Sequence, residues 1–368
     1  MCGFVGVAGP GVDSSAEALL AMGATLSHRG PDDEQVISRQ GAGLCFRRLS
    51  IIDLEGGAQP LWNEERDIAC VMNGEIYNFR ALRQELEGRG HRFQTGSDAE
   101  VIVHLYEEEG AAFAERLHGM FAVAVVDFRG EVGPEVILIR DRVGIKPLYW
   151  AATDEGGVTF ASEPKALLAG GYGSRKMRAA SLLDYLVLGW CGGPHSAWEG
   201  IERLEPGHCL RWSKESGSRV HCWWEPPLRP VEAVPADEEL RDQIDDAVRS
   251  RLMADVPLGA FLSGGVDSGA VVTSMAGVAD PLTCLSVGFD DKRYDELELA
   301  KMTAEAAGAT HIQEVLSSED GLGSADLAWH YDEPLADPST VPTYLVSKMA
   351  KRHVTVALSG DGGDEVFA

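Results

Sequence analysis

Cys2 is the first residue of the chain that could act as a nucleophile. It follows the initiator methionine, and a residue this small at position two permits removal of Met1. The free α-amine, with an ordinary pKa of about 8, could then serve as the base that activates the neighbouring thiol. This arrangement predicts an N-terminal nucleophile. Because a cysteine at position two can also be accidental, the prediction depends on residues elsewhere in the chain.

Three later segments carry side chains that suit glutamine: Arg48-Leu49-Ser50-Ile51-Ile52, Asn73-Gly74-Glu75 and Gly96-Ser97-Asp98. The Arg48 guanidinium can pair with the α-carboxylate through two hydrogen bonds, and the Asp98 carboxylate can hold the α-ammonium. The Asn73 side-chain amide and the Gly74 backbone amide can form an oxyanion hole. Taken singly, each segment has a purely structural explanation, because Asn-Gly is a common hairpin turn and an arginine is often a surface ion pair.

A second group of residues could bind phosphate: Ser263-Gly264-Gly265-Val266-Asp267-Ser268, between an expected strand and an expected helix. Glycines let backbone amides approach phosphate oxygens, the hydroxyls add donors, and the helix that follows presents its positive end. The lysine of a Walker A loop and the dinucleotide fingerprint are both missing. The segment therefore predicts a phosphate-binding turn of another kind, although a glycine turn can also simply join a strand to a helix.

An acidic glycine loop follows a second apolar strand near the end of the chain: Ser359-Gly360-Asp361-Gly362-Gly363-Asp364-Glu365. Open α/β sheets bind ligands at the carboxyl ends of their strands, which favours a binding loop over a solvated one. Asp267 and Asp364 could together hold Mg²⁺ against a polyphosphate, because this cation requires hard oxygen ligands.

Short apolar runs predict the strands that position these residues. In the first half the runs are 4–8, 49–52, 68–72, 120–126 and 136–139, with turns and a few helices between them. Ser97 is expected to cap a helix that continues to Gly110, with Glu100 as its capping-box partner. The first half is therefore predicted to be α+β.

Prolines after the tryptophan pair at 223 and 224 predict a linker over residues 216–236. Beyond it, one face of an amphipathic helix is expected to carry Leu240, Ile244, Val248 and Leu252. Strands at 256–262, 282–287 and 354–358 then alternate with glycine turns and a helix at 296–307. This rhythm predicts a parallel sheet with crossover helices.

Composition excludes several classes of protein. The 368 residues include 32 basic and 58 acidic ones, a formal charge of -26 that repels nucleic acid and anionic lipid. The seven cysteines are never closer than 13 residues and show neither a disulfide framework nor zinc-type pairing. No secretory signal or membrane-spanning run is expected, so the prediction is a cytoplasmic protein. A homodimer is allowed, but the sequence does not determine the oligomeric state.

The first group of motifs resembles the class II glutamine amidotransferase domains. These share the opening Met-Cys-Gly, His28-Arg29-Gly30-Pro31-Asp32, Arg48-Leu49-Ser50-Ile51 and Asn73-Gly74-Glu75. The resemblance implies an N-terminal nucleophile fold, an αββα sandwich, over residues 2–215, with Cys2 catalytic and glutamine bound by residues 48–52, 73–75 and 98. The runs from Arg140 to Tyr149 and at Ser162-Glu163 also look like this family, and we interpret them mainly as architecture and interdomain contacts.

The second group resembles the ATP pyrophosphatases, and the order of the two halves is similar to that of the glutamine-hydrolysing asparagine synthetase family. The resemblance implies synthesis of asparagine from aspartate and glutamine through β-aspartyl-AMP, with ATP and Mg²⁺ as cofactors. The expected synthetase domain covers residues 237–368 and is incomplete at its C-terminus. The residues expected to contact ATP are Leu262, Ser263, Gly264, Gly265, Asp267, Ser268, Val287, Ser359 and Gly360.

Two alternatives stay open from the sequence. Asp332-Glu333-Pro334 and Asp337-Pro338-Ser339 resemble a branch whose members amidate acceptors other than free aspartate. The substrate could therefore be another carboxylate, such as a peptide or a sugar acid. The second alternative is a truncated protein that binds glutamine and nucleotide without synthesis. Glutaminase activity with bound ATP but no AMP production would identify the latter.

Overall fold

The computed structural model describes residues 1–227, 236–293, 295–316 and 324–367. The chain divides into two compact units, Met1–Leu228 with Tyr331–Ala336, and Arg229–His330 with Asp337–Ala368. The short segment Tyr331–Ala336 thus belongs to the first unit, although the residues on both sides of it belong to the second. Part of the expected linker, 228–235, lies outside the described residues.

The first unit contains two six-stranded antiparallel sheets. The strands are Gly3–Ala8 (β1), Asp33–Arg39 (β2), Ala42–Arg48 (β3), Leu61–Trp62 (β4), Ile68–Ile76 (β5), Gly119–Asp127 (β6), Glu135–Arg140 (β7), Tyr149–Ala152 (β8), Val158–Ala161 (β9), Glu202–Arg203 (β10), His208–Ser213 (β11) and Gly217–Cys222 (β12). Their order is β10-β8-β9-β1-β3-β2 in one sheet and β12-β11-β7-β6-β5-β4 in the other. Strand β12 falls within the range expected to be a linker, but it pairs with β11 along its whole length.

The two sheets pack face to face. One buried apolar cluster joins Phe4, Leu44 and Phe160 from the first sheet to Val71 and Leu138 from the second. Among the described residues, the α-helices of this unit are Ala16–Ala24 (α1), Phe79–Arg89 (α2), Val101–Glu109 (α3), Pro164–Ala169 (α4) and Ala179–Leu188 (α5). Helices α1 and α4 cover the outer face of the first sheet, and α3 packs against β5 of the second. These contacts make a four-layer α, β, β, α arrangement.

Residues 49–52 do not form the strand expected from their apolar character. The ladder between β2 and β3 ends where Asp33 pairs with Arg48, and the chain then turns. The Arg48 guanidinium stabilises this turn, because it donates to the carbonyls of Ile52 and Asp53, which would lie out of its reach in a continuing strand. Two other expected strands of this unit, at 68–72 and 120–126, are confirmed as parts of β5 and β6.

The second unit contains a four-stranded sheet in which all pairs are parallel. Its elements are Asp237–Ser250 (α6), Leu258–Phe261 (β13), Val266–Ala276 (α7), Thr283–Phe289 (β14), Leu297–Ala306 (α8), Thr310–Leu316 (β15), Ser324–Tyr331 (α9), Thr340–Ala350 (α10), Val356–Leu358 (β16) and Gly363–Phe367 (α11). The expected parallel sheet is therefore present.

Strand order in this sheet is β15-β14-β13-β16. The chain builds outward from β13 to β14 and β15, then returns to the other side of β13 for β16. The order thus reverses between β13 and β16, which is the point where open α/β sheets bind ligands. Two buried apolar clusters cover the two faces of this sheet. One contains Ala260 and Cys284, and the other contains Leu285 together with Met349 of α10.

Within the described part of the chain, none of the helices is long and apolar enough to cross a membrane.

Candidate active site

Cys2 lies just before β1 and is half-buried. The backbone amide of Leu49 donates to its Sγ at 3.4 Å, and the thiol lies 3.6 Å from the Leu49 carbonyl oxygen. Burial raises the pKa of the thiol, while the Leu49 hydrogen bond and the charge of Arg48 act in the opposite direction. The neutral thiol is therefore favoured, and a base is needed to activate it.

Two side chains hold the carbonyl oxygen of Cys2. Arg29 donates from Nε at 2.9 Å. With the Asn73 amide oriented to satisfy its neighbours, Nδ2 donates to the same oxygen at 2.9 Å and Oδ1 accepts from Arg29 Nη2 at 3.2 Å. Asn73 is thus fixed beside the nucleophile. Gly74 follows with φ of +152°, and a Cβ there would overlap the Met120 carbonyl, so only glycine fits.

Arg48 is buried and shapes the loop that follows it. It donates from Nη1 to the Leu54 carbonyl at 3.1 Å and from Nη2 to the Ile52 and Asp53 carbonyls at 3.2 and 2.6 Å. Three of its five N–H groups therefore hold the backbone, and the other two are the ones that could meet a carboxylate. The Ser50 amide is held by Asp32 at 2.8 Å.

Asp98 is buried and accepts a hydrogen bond from the Ile76 amide at 2.8 Å. Burial, with a smaller contribution from the charge of Glu75, raises the pKa of this carboxyl to about 7. The residues from 98 to 100 form a 3-10 turn before α3. An ammonium group placed against Asp98 would favour its ionised form.

Ser97 is an N-cap as expected, although of the 3-10 turn that precedes α3, but the reciprocal contact of a capping box from Glu100 is absent. The Ser97 hydroxyl accepts from the Ala99 amide at 3.3 Å. The Glu100 carboxylate instead turns back to the preceding loop and accepts from the amides of Gln94 and Thr95 at 2.6 and 2.8 Å. Glu100 therefore closes the loop that leads to Asp98.

A chain of ion pairs connects the Cys2 carbonyl to residue 332. Arg29, which holds that carbonyl, donates to Glu163 at 2.7 Å, and Lys165 donates to the other Glu163 oxygen at 2.8 Å. Lys165 also lies 3.3 Å from Asp332. Burial opposes ionisation of Glu163, but hydrogen bonds from His28 and Lys165 and the charge of Arg29 outweigh it and lower its pKa to about 2. The sequence motifs contain both Arg29 and Glu163, but they do not predict the ion pair between the two residues, which are 134 positions apart.

In the second unit, residues 263–265 form the turn between β13 and α7, and residues 266–268 begin α7. The Ser263 hydroxyl accepts from the Gly265 amide at 3.1 Å and lies 2.9 Å from the Ser268 hydroxyl. The Gly264 amide donates to Glu296 at 2.9 Å. Two amides of the expected phosphate-binding turn are thus held by side-chain oxygens, which an anion would have to replace.

The acidic glycine loop packs directly against this turn. A Cβ at Gly360 would lie 2.7 Å from the Ser268 amide nitrogen, and one at Gly363 would overlap the Asp267 carboxylate. Each loop follows one of the two strands at which the sheet order reverses. The structure therefore brings together residues separated by about ninety positions in the sequence. Ser359 contributes a hydroxyl that donates to Asp361 at 2.9 Å.

Leu262 directly follows β13 and lies beside β14, where its amide donates to the Leu285 carbonyl at 2.9 Å and its carbonyl accepts from the Ser286 hydroxyl at 2.5 Å. Leu262 is buried in the core cluster of one sheet face, while Val287 packs against the cluster of the other. Of the two acids expected to hold magnesium, Asp267 is half-buried and Asp364 is exposed at the start of α11. Both offer carboxylate oxygens from adjacent loops, a donor type that fits Mg²⁺.

Comparison with known proteins gives two family matches, to the glutamine amidotransferase domain over residues 1–224 and to asparagine synthase over residues 239–368. A Bacillus subtilis protein named asparagine synthetase [glutamine-hydrolyzing] 1 is 37% identical, over all of this chain and 58% of its own length. A Methanocaldococcus jannaschii protein named putative asparagine synthetase [glutamine-hydrolyzing] 2 is 35% identical, over all of this chain and 75% of its own. The chain thus spans less than two thirds of the first of these relatives.

Among solved structures, glutamine phosphoribosylpyrophosphate amidotransferase from B. subtilis, complexed with ADP and GMP, aligns with a TM-score of 0.46 and 18% identity. The alignment covers 85% of this chain and 65% of that one.

Proposed function

Because this chain belongs to the glutamine-hydrolysing asparagine synthetase family, we propose that it takes part in the ATP-dependent synthesis of asparagine from aspartate. The first unit hydrolyses glutamine to glutamate and ammonia. The second unit binds ATP and activates the side-chain carboxylate of aspartate as β-aspartyl-AMP, with release of pyrophosphate. Ammonia then attacks this intermediate and displaces AMP, which gives asparagine.

One observation carries the glutaminase assignment. Cys2 lies among groups that match glutamine, with Leu49 at its thiol, Asn73 at its carbonyl, and the charges of Arg48 and Asp98 near enough to act on its pKa. Removal of Met1 would place a free amine on the same residue as the thiol. That amine is the base the buried thiol requires.

The proposed reaction begins when the Cys2 amine takes the thiol proton and the sulfur attacks the glutamine carboxamide. Asn73 Nδ2 and the Gly74 amide would donate to the oxyanion, after Asn73 leaves the Cys2 carbonyl. The amine returns the proton to the departing nitrogen, so ammonia leaves and a thioester remains. Water attacks the thioester and releases glutamate. Arg48 and Asp98 hold the α-carboxylate and the α-ammonium throughout.

The synthetase assignment is supported by the two glycine loops at the point where the parallel sheet reverses its strand order. Amides of Gly264 and Gly265 and the hydroxyls of Ser263 and Ser268 would bind phosphate oxygens. Asp267 and Asp364 would hold Mg²⁺, which when bound neutralises negative charge on the polyphosphate. The packing of the Gly360 backbone against Ser268 keeps the two loops together.

The test measures glutamate, AMP, pyrophosphate and asparagine in parallel. We expect Cys2→Ala to abolish glutamate release, with Cys222→Ala as a control because that thiol is exposed and distant in sequence. Asp267→Asn should impair ATP turnover while glutamate release continues. Wild-type glutamate release by Cys2→Ala would overturn the proposed glutaminase. AMP formation that depends on a carboxylic acid other than aspartate would identify that acid as the acceptor in place of aspartate.

A further inference from the structure

Two histidines and two glutamates converge in the first unit, away from the residues used above. Among the described residues they form one group of metal-ligating side chains: Glu64, His91, His104 and Glu107. One ligand atom from each lies within 4.8 Å of the others. Glu64 follows β4, His91 follows α2, and the other two lie one turn apart on α3. Three separate segments of chain therefore meet at this cluster.

The distances within the cluster suit a shared cation. His104 Nδ1 lies 3.4 Å from Glu64 Oε2 and 3.6 Å from Glu107 Oε2. His91 Nδ1 lies 3.7 Å from Glu64 Oε1 and 3.7 Å from Glu107 Oε2. Tetrahedral zinc, with bonds of about 2.0 to 2.1 Å, separates its ligands by about 3.4 Å. Direct hydrogen bonds to a carboxylate would be about 2.8 Å long.

His104 supplies an independent indication of a ligand. Its side chain is only 1% exposed. Neither of its ring nitrogens has a hydrogen-bond partner among the described residues, and the same is true of Glu107 Oε2. Buried polar atoms without a partner cost free energy, and such atoms are rare in folded proteins. A cation between Nδ1 and Oε2 would satisfy both atoms at once.

Surrounding groups orient two of the four side chains, His91 and Glu107. The second ring nitrogen of His91 lies 3.2 Å from Glu108, and that of His104 faces Glu100 at 3.9 Å. Asn63 donates to the other oxygen of Glu107 at 2.8 Å. Histidines that bind metals commonly direct their second nitrogen to a carboxylate, as His91 does to Glu108, which fixes the ring and raises its basicity.

We propose that Glu64, His91, His104 and Glu107 bind one divalent cation, and that this cation is zinc. Two imidazoles and two carboxylates are ligands that zinc accepts, and the two carboxylates balance its charge. The ion would fasten the turn after β4 and the loop after α2 to α3. That loop leads directly to Asp98, so the site would be a structural support for this part of the first unit.

The test is metal binding by the purified full chain after removal of metals with a chelator. We expect one equivalent of added zinc by elemental analysis, and added Co²⁺ to give the visible absorption of a tetrahedral site. His91→Gln and Glu107→Gln should each weaken zinc binding beyond the roughly 10- to 100-fold loss typical of changes to outer groups. His221→Gln, which changes an exposed histidine on β12, should leave zinc binding unchanged.

Folding of each variant is checked by circular dichroism, and the two ligand variants test the same site independently. His91 is 16% exposed, which makes its replacement the less disruptive of the two. Zinc affinity that is the same in both variants as in the wild type would place the metal elsewhere and overturn the proposal. Absence of zinc and cobalt binding to the wild-type protein would overturn it as well, and the cluster would then be an ion-pair network.

Discussion

The Tyr149 hydroxyl donates to Glu333, 184 residues later in the chain, at 2.7 Å. Burial raises the pKa of this phenol, so it remains a donor. The same carboxylate accepts from Arg203 at 2.5 Å and from the Ala197 amide at 2.6 Å. Glu333 therefore anchors the segment Tyr331–Ala336 within the first unit. The residues on both sides of this segment belong to the second unit.

Replacing Glu333 by glutamine should destabilise the first unit. The change leaves the Arg203 guanidinium, which is 18% exposed, without its carboxylate, and breaking a buried pair typically costs about 3 to 5 kcal/mol. Urea unfolding followed by tryptophan fluorescence measures the loss. Glu199→Gln is the matched control, because its ion pair with Lys176 is exposed and should contribute little. Equal effects of the two changes would contradict the anchoring role.

Glu163 should make the free energy of unfolding of the first unit depend on pH in the acidic range. Its pKa is lowered to about 2 in the folded state from an ordinary 4.5. Its contribution is therefore complete above pH 4.5 and is lost as the pH falls towards 2, by about 3 kcal/mol in all. Glu163→Gln should remove this part of the dependence and lower stability at pH 7. Denaturant midpoints measured from pH 2 to 7 test this, and identical slopes for both proteins would contradict it.

Asp98 should make glutamine binding depend on pH near neutrality. Its pKa of about 7 means that the carboxylate needed for the α-ammonium is lost as the pH falls below 7. We expect the glutamine KM to rise by about tenfold per pH unit below 7 and to be constant above it. Asp98→Asn should have a high KM at every pH. Glutamate release measured from pH 5.5 to 8.5 gives both KM and kcat, and a constant wild-type KM would contradict this assignment.

Gly360→Ala should weaken ATP binding without affecting glutamate release. The added methyl group would lie 2.7 Å from the Ser268 amide nitrogen and 3.0 Å from Asp267, so one of the two loops must move. We expect ATP affinity to fall by about tenfold or more, which corresponds to about 1.4 kcal/mol. Calorimetric titration with ATP measures this. Gly269→Ala in α7 is the control, because its methyl group would meet only Thr303 at an ordinary 3.8 Å; wild-type affinity of Gly360→Ala would argue against the site.

The sequence by itself determined the local elements and their order. Apolar runs predicted β5, β6 and β14, and glycine turns after strands predicted both loops of the second unit. The apolar runs of β5 and β6 are continuous because both faces of these strands are buried, so consecutive side chains are apolar. The strand expected at residues 49–52 does not form, because the chain turns there and the Arg48 guanidinium holds the turn through the carbonyls of Ile52 and Asp53, four and five residues further along.

Only the tertiary structure decided which distant residues meet. It placed residues 331–336 in the first unit, connected Glu163 to Arg29, and gathered the cluster containing His91 and His104. It also set the acidic loop after β16 beside the turn after β13. Spacing along the chain carries no signal for such contacts, because they arise when whole sheets and helices bury their apolar faces together. The side chains that meet are those that this packing brings within reach of one another.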